Sequence, residues 1–250
     1  MLQIPAKPFV ESGKPYKVYD LHEGTCWEKL GTFSVVDIAP GFDYRVPNSF
    51  SQGSDYMFQI LVGSALKIVS DGNVVPHYGG RTYGQLTDQG KVDIVNPERD
   101  YRNGLTKPAR IVLMLSYHSW GNAVQTKLGL INSLPYDPRP QGIKLKSLWK
   151  HTELQRGAGY EYVLLDGIIP RHRHNRSSTI WLVRDGKGYV GQDIAGQRIV
   201  EPISAGCYGY FPAGMWHGFY GDSLRFISAQ ILDIGEADYE FSDEQFDYPI

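Results

Sequence analysis

The stretch Gly167-Ile168-Ile169-Pro170-Arg171-His172-Arg173-His174, with Pro212-Ala213-Gly214-Met215-Trp216-His217 further on, decides how this chain is read. In an extended segment side chains repeat every two residues, so His172 and His174 share one face. Pro212-Ala213-Gly214 is a turn signal, and a strand starting after it can bring His217 to that face. Three imidazoles meeting at one point, with coordination positions left over, describe an open transition-metal site. The same alternation sends Arg171 and Arg173 to the opposite face, where packing or ion pairing is their expected role.

The surroundings of these residues read as strands. Tyr160–Leu165, Ile180–Arg184, Cys207–Phe211 and Leu224–Leu232 are short runs of β-branched and aromatic residues separated by turn signals. In the first half, Phe33–Ala39 ends at Pro40-Gly41. Tyr56–Ile68 reads as two strands about Gly63-Ser64, and Asp71-Gly72-Asn73 is a further turn. Lys91–Val95 and Ile111–Ser116 complete the pattern. Helix-forming runs are scarce, and the expected class is all-β. Between Ser119 and Gly142 the pattern breaks into Gly, Asn and a Pro-rich run, which marks an interdomain linker. The last eighteen residues hold seven acids and no Lys or Arg, and read as a solvated tail or exposed edge.

Composition narrows the function. At 250 residues the chain can form one large domain or two small ones, and 42% hydrophobic with 21% charged residues is usual for a globular protein. A net charge of −2 gives no reason to expect nucleic acid or an anionic membrane surface. No segment is long and apolar enough to span a bilayer, and the N-terminus lacks the apolar core of a secretory signal. Two cysteines, Cys26 and Cys207, form no framework and read as reduced thiols of a cytoplasmic protein. His22, His77, His118 and His151 have no partner at ligand spacing and read as surface or packing residues.

The two histidine stretches resemble the paired motifs of the cupin superfamily. Gly167 to Gly186 is similar to the first motif, G-x5-H-x-H-x3–4-E-x6-G, one residue short before His172, with Thr179 at the place of the Glu. Gly206 to Gly221 is similar to the second, G-x5-P-x-G-x2-H-x3-N, with Gly206, Pro212, Gly214 and His217 matching and Gly221 in place of the Asn. The resemblance implies a jelly-roll β-barrel with a metal in its mouth, held by three histidines and no carboxylate.

A second, weaker copy is legible upstream. Moving the second half back by 123 residues sets Pro170 on Pro47, His172 on Ser49, His174 on Ser51, Thr179 on Tyr56 and Gly186 on Gly63. With a different gap, Pro212 falls on Pro97 and His217 on Arg102. A duplicated barrel is expected: residues 1–120 a cupin-like barrel without metal ligands, 121–145 a linker, and 146–250 the metal-binding barrel. Ser49, Ser51, Tyr56 and Arg102 make no transition-metal site, so the first barrel is structural, or binds an anion through Arg102.

Around the ion, alternation turns Thr179, Trp181 and Val183 to the same side, with Phe219 two residues beyond His217. Thr179, Trp181 and Phe219 are therefore the candidate substrate-facing residues, with Phe226, Gln230, Tyr208 and Tyr210 as further contacts. The expected cofactor is a divalent transition metal, Fe(II) first, with zinc, nickel or manganese as alternatives. Loss of the Glu resembles the three-His non-haem iron dioxygenases of the gentisate type. It implies oxygenation of a small, anionic, chelating substrate. A redox-neutral isomerase, cyclase, dehydratase or lyase, and a non-catalytic small-molecule-binding barrel, stand as alternatives. The expected partner is that small molecule, with a homodimer as the allowed assembly.

Overall fold

A computed structural model describes residues 2–25, 31–46, 55–62, 66–70, 73–76, 82–87, 92–99, 104–116, 127–130, 137–138, 143–149, 157–233 and 238–249. They form an all-β protein, as read from the sequence, with no α-helix among them and none long and apolar enough to cross a membrane. The chain divides into two compact units, one of residues 7–133 and one of residues 1–6 with 134–250. The N-terminal strand β1 (Leu2–Gln3) thus belongs with the second unit.

The unit of residues 7–133 holds β2 (Tyr16–Asp20), β3 (Gly31–Ile38), β4 (Phe42–Arg45), β5 (Asp55–Val62), β6 (Lys67–Ser70), β7 (Asn73–Pro76), β8 (Thr82–Thr87), β9 (Val92–Asn96), β10 (Ala109–Ser116) and β11 (Lys127–Leu130). They make a six-stranded sheet ordered β11-β8-β5-β10-β3-β2 and a four-stranded one ordered β4-β9-β6-β7. Val36, Ile38, Ile111 and Leu113 of the first pack with Tyr44 and Ile94 of the second in one buried cluster. β3 and β10 give alternate side chains to that core. On the opposite face of β3 and β10, Asp37 and Arg110 are strand partners. Arg110 donates from Nε to Oδ1 at 2.6 Å and from Nη2 to Oδ2 at 2.7 Å, and both residues are buried. The Phe9 backbone N–H also donates to Asp37, 2.8 Å, which ties the incoming chain to the sheet.

The other unit adds β12 (Asp137–Pro138), β13 (Ile143–Trp149), β14 (Gly157–His174), β15 (Ser178–Ile194), β16 (Gln197–Ser204), β17 (Cys207–Phe211), β18 (His217–Asp233) and β19 (Tyr239–Phe241). They join β1 in a nine-stranded sheet ordered β1-β17-β15-β18-β14-β13-β12, with β16 on β15 and β19 on β14. The long strands β14, β15 and β18 carry register shifts at which they bend. Gly186 sits at one such bend with φ 89°, and a Cβ there would stand 2.6 Å from the Ser223 carbonyl oxygen. The bent sheet holds a core of Val163, Leu165, Trp181, Phe211, Phe219 and Phe226 with its neighbours.

The structure adds to several expectations. Within the stretch 121–145 the described residues include paired strands, β11 with β8 and β12 with β13. The division of the chain into compact units falls inside this stretch, between Ser133 and Leu134. The two strands read about Gly63-Ser64 are present as β5 and β6, and they lie in different sheets, the six-stranded and the four-stranded one. Of the two readings of the acidic C-terminus the exposed edge holds: β19 pairs with β14 alone and Phe241 is exposed, while Asp238, Phe246 and Tyr248 are buried. Its apolar residues alternate with its acids, and that alternation decides the outcome. Pro47, Ser49, Ser51, Gly63 and Arg102 lie outside the described residues, as do Cys26, His77, His118 and His151. His22 Nδ1 is bonded to the Phe33 backbone.

Removing one partner of a buried ion pair strands the other charge. Asp37→Ala is expected to lower the unfolding free energy by about 3–5 kcal/mol, measured by urea titration; a loss typical of a surface pair would show that Arg110 finds water.

Candidate metal centre

The three histidines converge. His172 and His174 end β14, and His217 begins β18 directly opposite His172. Ring centroids lie 4.3 Å apart for His172 and His217, 5.2 Å for His172 and His174, and 5.3 Å for His174 and His217. One ring nitrogen from each falls within 4.8 Å of the others, and all three residues are buried.

A bulge decides which side chains face inward. Ile169 pairs with Phe219 and packs on the core, yet His172, three residues on, pairs with His217, two residues back. The extra residue in β14 reverses the parity, so the histidines and not the arginines follow Ile169 to the inner face. Its polar groups are satisfied: the Arg171 N–H donates to Gln245 Oε1 at 2.9 Å, and the Pro170 carbonyl accepts from His172 Nδ1 at 2.8 Å. The turn before His217 is pinned to the same strand. Gly214, at φ 82°, donates its N–H to the His174 carbonyl at 2.7 Å, and the Ala213 N–H donates to Ser178 Oγ.

The hydrogen bonds also fix tautomers. A carbonyl can only accept, so His172 Nδ1 carries the proton toward Pro170, and His217 Nδ1 carries it toward the Met215 carbonyl at 2.9 Å. The Nε2 lone pairs are left to bind. His174 Nδ1 is buried without a hydrogen-bond partner among the described residues. Burial keeps all three rings neutral. It lowers His172 to about 4, with the Pro170 bond opposing. It lowers His174 to about 3, aided by His172 and opposed by Asp238. His217 is pushed well below the usual imidazole range by burial and by its two neighbours. Neutral, converging, partly unsatisfied imidazoles are the donor set of a divalent transition metal, and these residues fit one.

The sequence-predicted neighbours are placed unequally. Thr179 is buried opposite Phe211 on β17 and Gln230 on β18, and its hydroxyl has no partner among the described residues. Trp181 and Phe219 are core residues, packed edge-to-face at 5.5 Å. On the inner side Phe211 is the ring against His217, stacked on it at 4.0 Å. Phe226 stacks on Phe219. Tyr208 and Tyr210 are corrected: Cys207, Gly209 and Phe211 take the inner positions of β17, so the tyrosines lie on its other face.

Sequence reading missed the C-terminal contribution. Asp238 accepts from the Arg176 and Ser177 backbone N–H groups, 2.8 and 2.9 Å, and from the Ser177 hydroxyl. That seats Tyr239 opposite His174, its ring 4.3 Å from the imidazole. Gln230 Nε2 donates to the Tyr239 hydroxyl at 3.1 Å. On the outer face Arg171 pairs with Asp193 at 2.5 Å and Arg173 with Glu240 at 2.6 Å, and both guanidiniums lie over Trp216, at 4.6 and 4.7 Å. Alternation from the H-R-H stretch was the available signal for the arginines; none marked Trp216 as their common partner.

His174→Ala is expected to abolish stoichiometric binding of a divalent transition metal by purified protein, measured by elemental analysis; full occupancy would remove His174 from the ligand set. Because the folded imidazoles titrate below the ordinary 6.5, their stabilising contribution is whole above that pH. It is lost as pH falls through about 4 for His172 and about 3 for His174. Thermal melts of metal-free protein at stepped pH should fall across that window, and a flat profile would contradict the buried neutral state.

No family model matches the chain, and no curated protein is similar to it. Solved structures are. Protein Ylba from E. coli is 12% identical, with a TM-score of 0.68 over 90% of this chain and 86% of that one. A protein described as glyoxylate-induced, from Pseudomonas aeruginosa, is 12% identical, with a TM-score of 0.67 over 93% and 82%. A cupin 2 conserved barrel domain protein from Leptotrichia buccalis is 11% identical, with a TM-score of 0.59 over 89% and 91%. At such identities the likeness is one of fold: the chain has the all-β fold of cupin-type proteins and carries a three-histidine group of metal-ligating geometry.

Proposed function

We propose that this chain is a metal-dependent enzyme acting on a small, anionic, chelating organic molecule, and that with Fe(II) it is a dioxygenase. One observation carries the reading: three buried, neutral imidazoles converge with no carboxylate in the group among the described residues, and the sequence has Thr179 at the motif position of the Glu. Such a face leaves the full positive charge of the ion uncompensated, which favours an enolate, phenolate or carboxylate over a neutral sugar. A bound ferrous ion supplies Lewis acidity and O₂ activation at positions the protein does not fill. The chain's own residues do the rest. Phe211, Phe219 and Trp181 exclude water from the inner side, and Thr179 leaves room that a Glu would take. The bicupin arrangement, a cytoplasmic location and a homodimeric assembly belong to the same reading; the buried free thiol of Cys207 suits a reducing compartment.

A redox-neutral isomerase, cyclase, dehydratase or lyase using zinc, nickel or manganese is the second reading. It is favoured by the Tyr239 hydroxyl, held by Gln230 beside His174, where a phenol can hold or pass a proton.

Metal analysis of freshly purified protein, then anaerobic Fe(II) loading and an O₂-uptake screen, separates the readings. Iron with substrate-dependent O₂ uptake supports the dioxygenase. A tightly held zinc, nickel or manganese with no O₂ uptake supports the second reading, and absence of any metal supports a non-catalytic binding protein. Thr179→Glu is expected to keep its metal and to lose turnover by roughly tenfold or more, because the carboxylate occupies a position the substrate needs. Full activity in this variant would sink the chelating oxygenase.

A further inference from the structure

Tyr239 and Phe241 stand two residues apart on β19, so both rings leave the strand on one side. Register sets Tyr239 opposite His174 and Phe241 opposite His172. The Tyr239 ring is 4.3 Å from His174 and 5.8 Å from His172, and the Phe241 ring is 5.8 Å from His172. The two rings are nearly parallel, 17° apart at 6.4 Å. Their exposure differs. Tyr239 is half-buried, with its hydroxyl held by Gln230. Phe241 is 64% exposed, an apolar ring that the core does not use, set beside a buried imidazole. On the inner side Thr179, whose hydroxyl has no partner among the described residues, stands opposite Gln230. The ligand face therefore has a polar arc and an aromatic edge.

We propose that Tyr239 and Phe241 determine specificity at this centre by stacking on the ring of a planar, aromatic, anionic chelator. The inference rests on the reading of the three histidines as a metal site with open positions. Two donor oxygens of such a ligand fill open positions, and its ring extends toward β19. A chelator without a ring gains the coordination and the charge but not the stacking.

The test uses full-length protein loaded with Co(II), whose visible absorption reports ligand binding, and two probes: 4-nitrocatechol, which has a ring, and oxalate, which has none. Phe241→Ala removes an exposed side chain, and Tyr239→Leu removes the second ring. Each is expected to weaken 4-nitrocatechol roughly fivefold to tenfold, the range of a lost ring–ring contact. In Phe241→Ala, oxalate affinity and Co(II) stoichiometry should stay as in wild type. Parallel losses for both probes, or no loss for either, would overturn the specificity role while leaving the metal centre standing. Wild-type protein that holds Co(II) but binds neither probe would overturn the open-position reading and this inference with it.

Discussion

The site depends on one irregularity, the bulge in β14 between Ile169 and His172. An uninterrupted ladder would carry the parity of Ile169 into Arg171 and Arg173 and bury two guanidiniums where the metal ligands stand. Desolvating two unpaired cations costs several kcal/mol each, so the regular strand is not an available alternative. Proline at 170 has no N–H to lose from the ladder, and the displaced Arg171 N–H is taken up by Gln245. One extra residue thus turns an amphipathic strand over and puts imidazoles inside and arginines outside.

The outer face then holds what the inner face needs. Trp216, the residue before His217, lies under both Arg171 and Arg173, which flank His172. Each such contact contributes about 0.5–2 kcal/mol, and together they fasten the turn that carries the third ligand to the strand that carries the first two. The arginines are in turn paired with Asp193 on β15 and Glu240 on β19. Phe246 and Tyr248 close the same region, where Gly191 and Gly218 have no side chain to obstruct them. The C-terminal segment is part of the scaffold of the site, held by packing as much as by charge.

Inside, the electrostatics run the other way. Within 4.8 Å of one another, three imidazoles in a desolvated setting repel added protons. They stay neutral to well below physiological pH, so protons do not compete with a cation for them there. Asp238, whose charge acts on His174, spends its oxygens on the Arg176 and Ser177 backbone and on the Ser177 hydroxyl. It organises the turn after His174 and leaves the donor set uncharged.

What the sequence determined by itself is periodic and local. Alternation in the H-R-H stretch and the Pro-x-Gly turn named His172, His174 and His217. Runs of β-branched residues between turn signals fixed the all-β class, and the same alternation sent the arginines outward. Tertiary structure decided everything that depends on register between distant strands. It chose Phe211 over Trp181 as the ring on His217, because β17 pairs with β15 so that Phe211 stands opposite Thr179 and nearer the ligands. It brought residues 1–6 to the unit of the C-terminal half, and between a solvated tail and an exposed edge it chose the edge for the acidic terminus, pairing β19 with β14. Local periodicity says which face a side chain takes. Only the long-range hydrogen-bond ladder says what that face meets, because a shift of one residue, such as the one at Pro170-Arg171, exchanges the two faces without changing the composition of either.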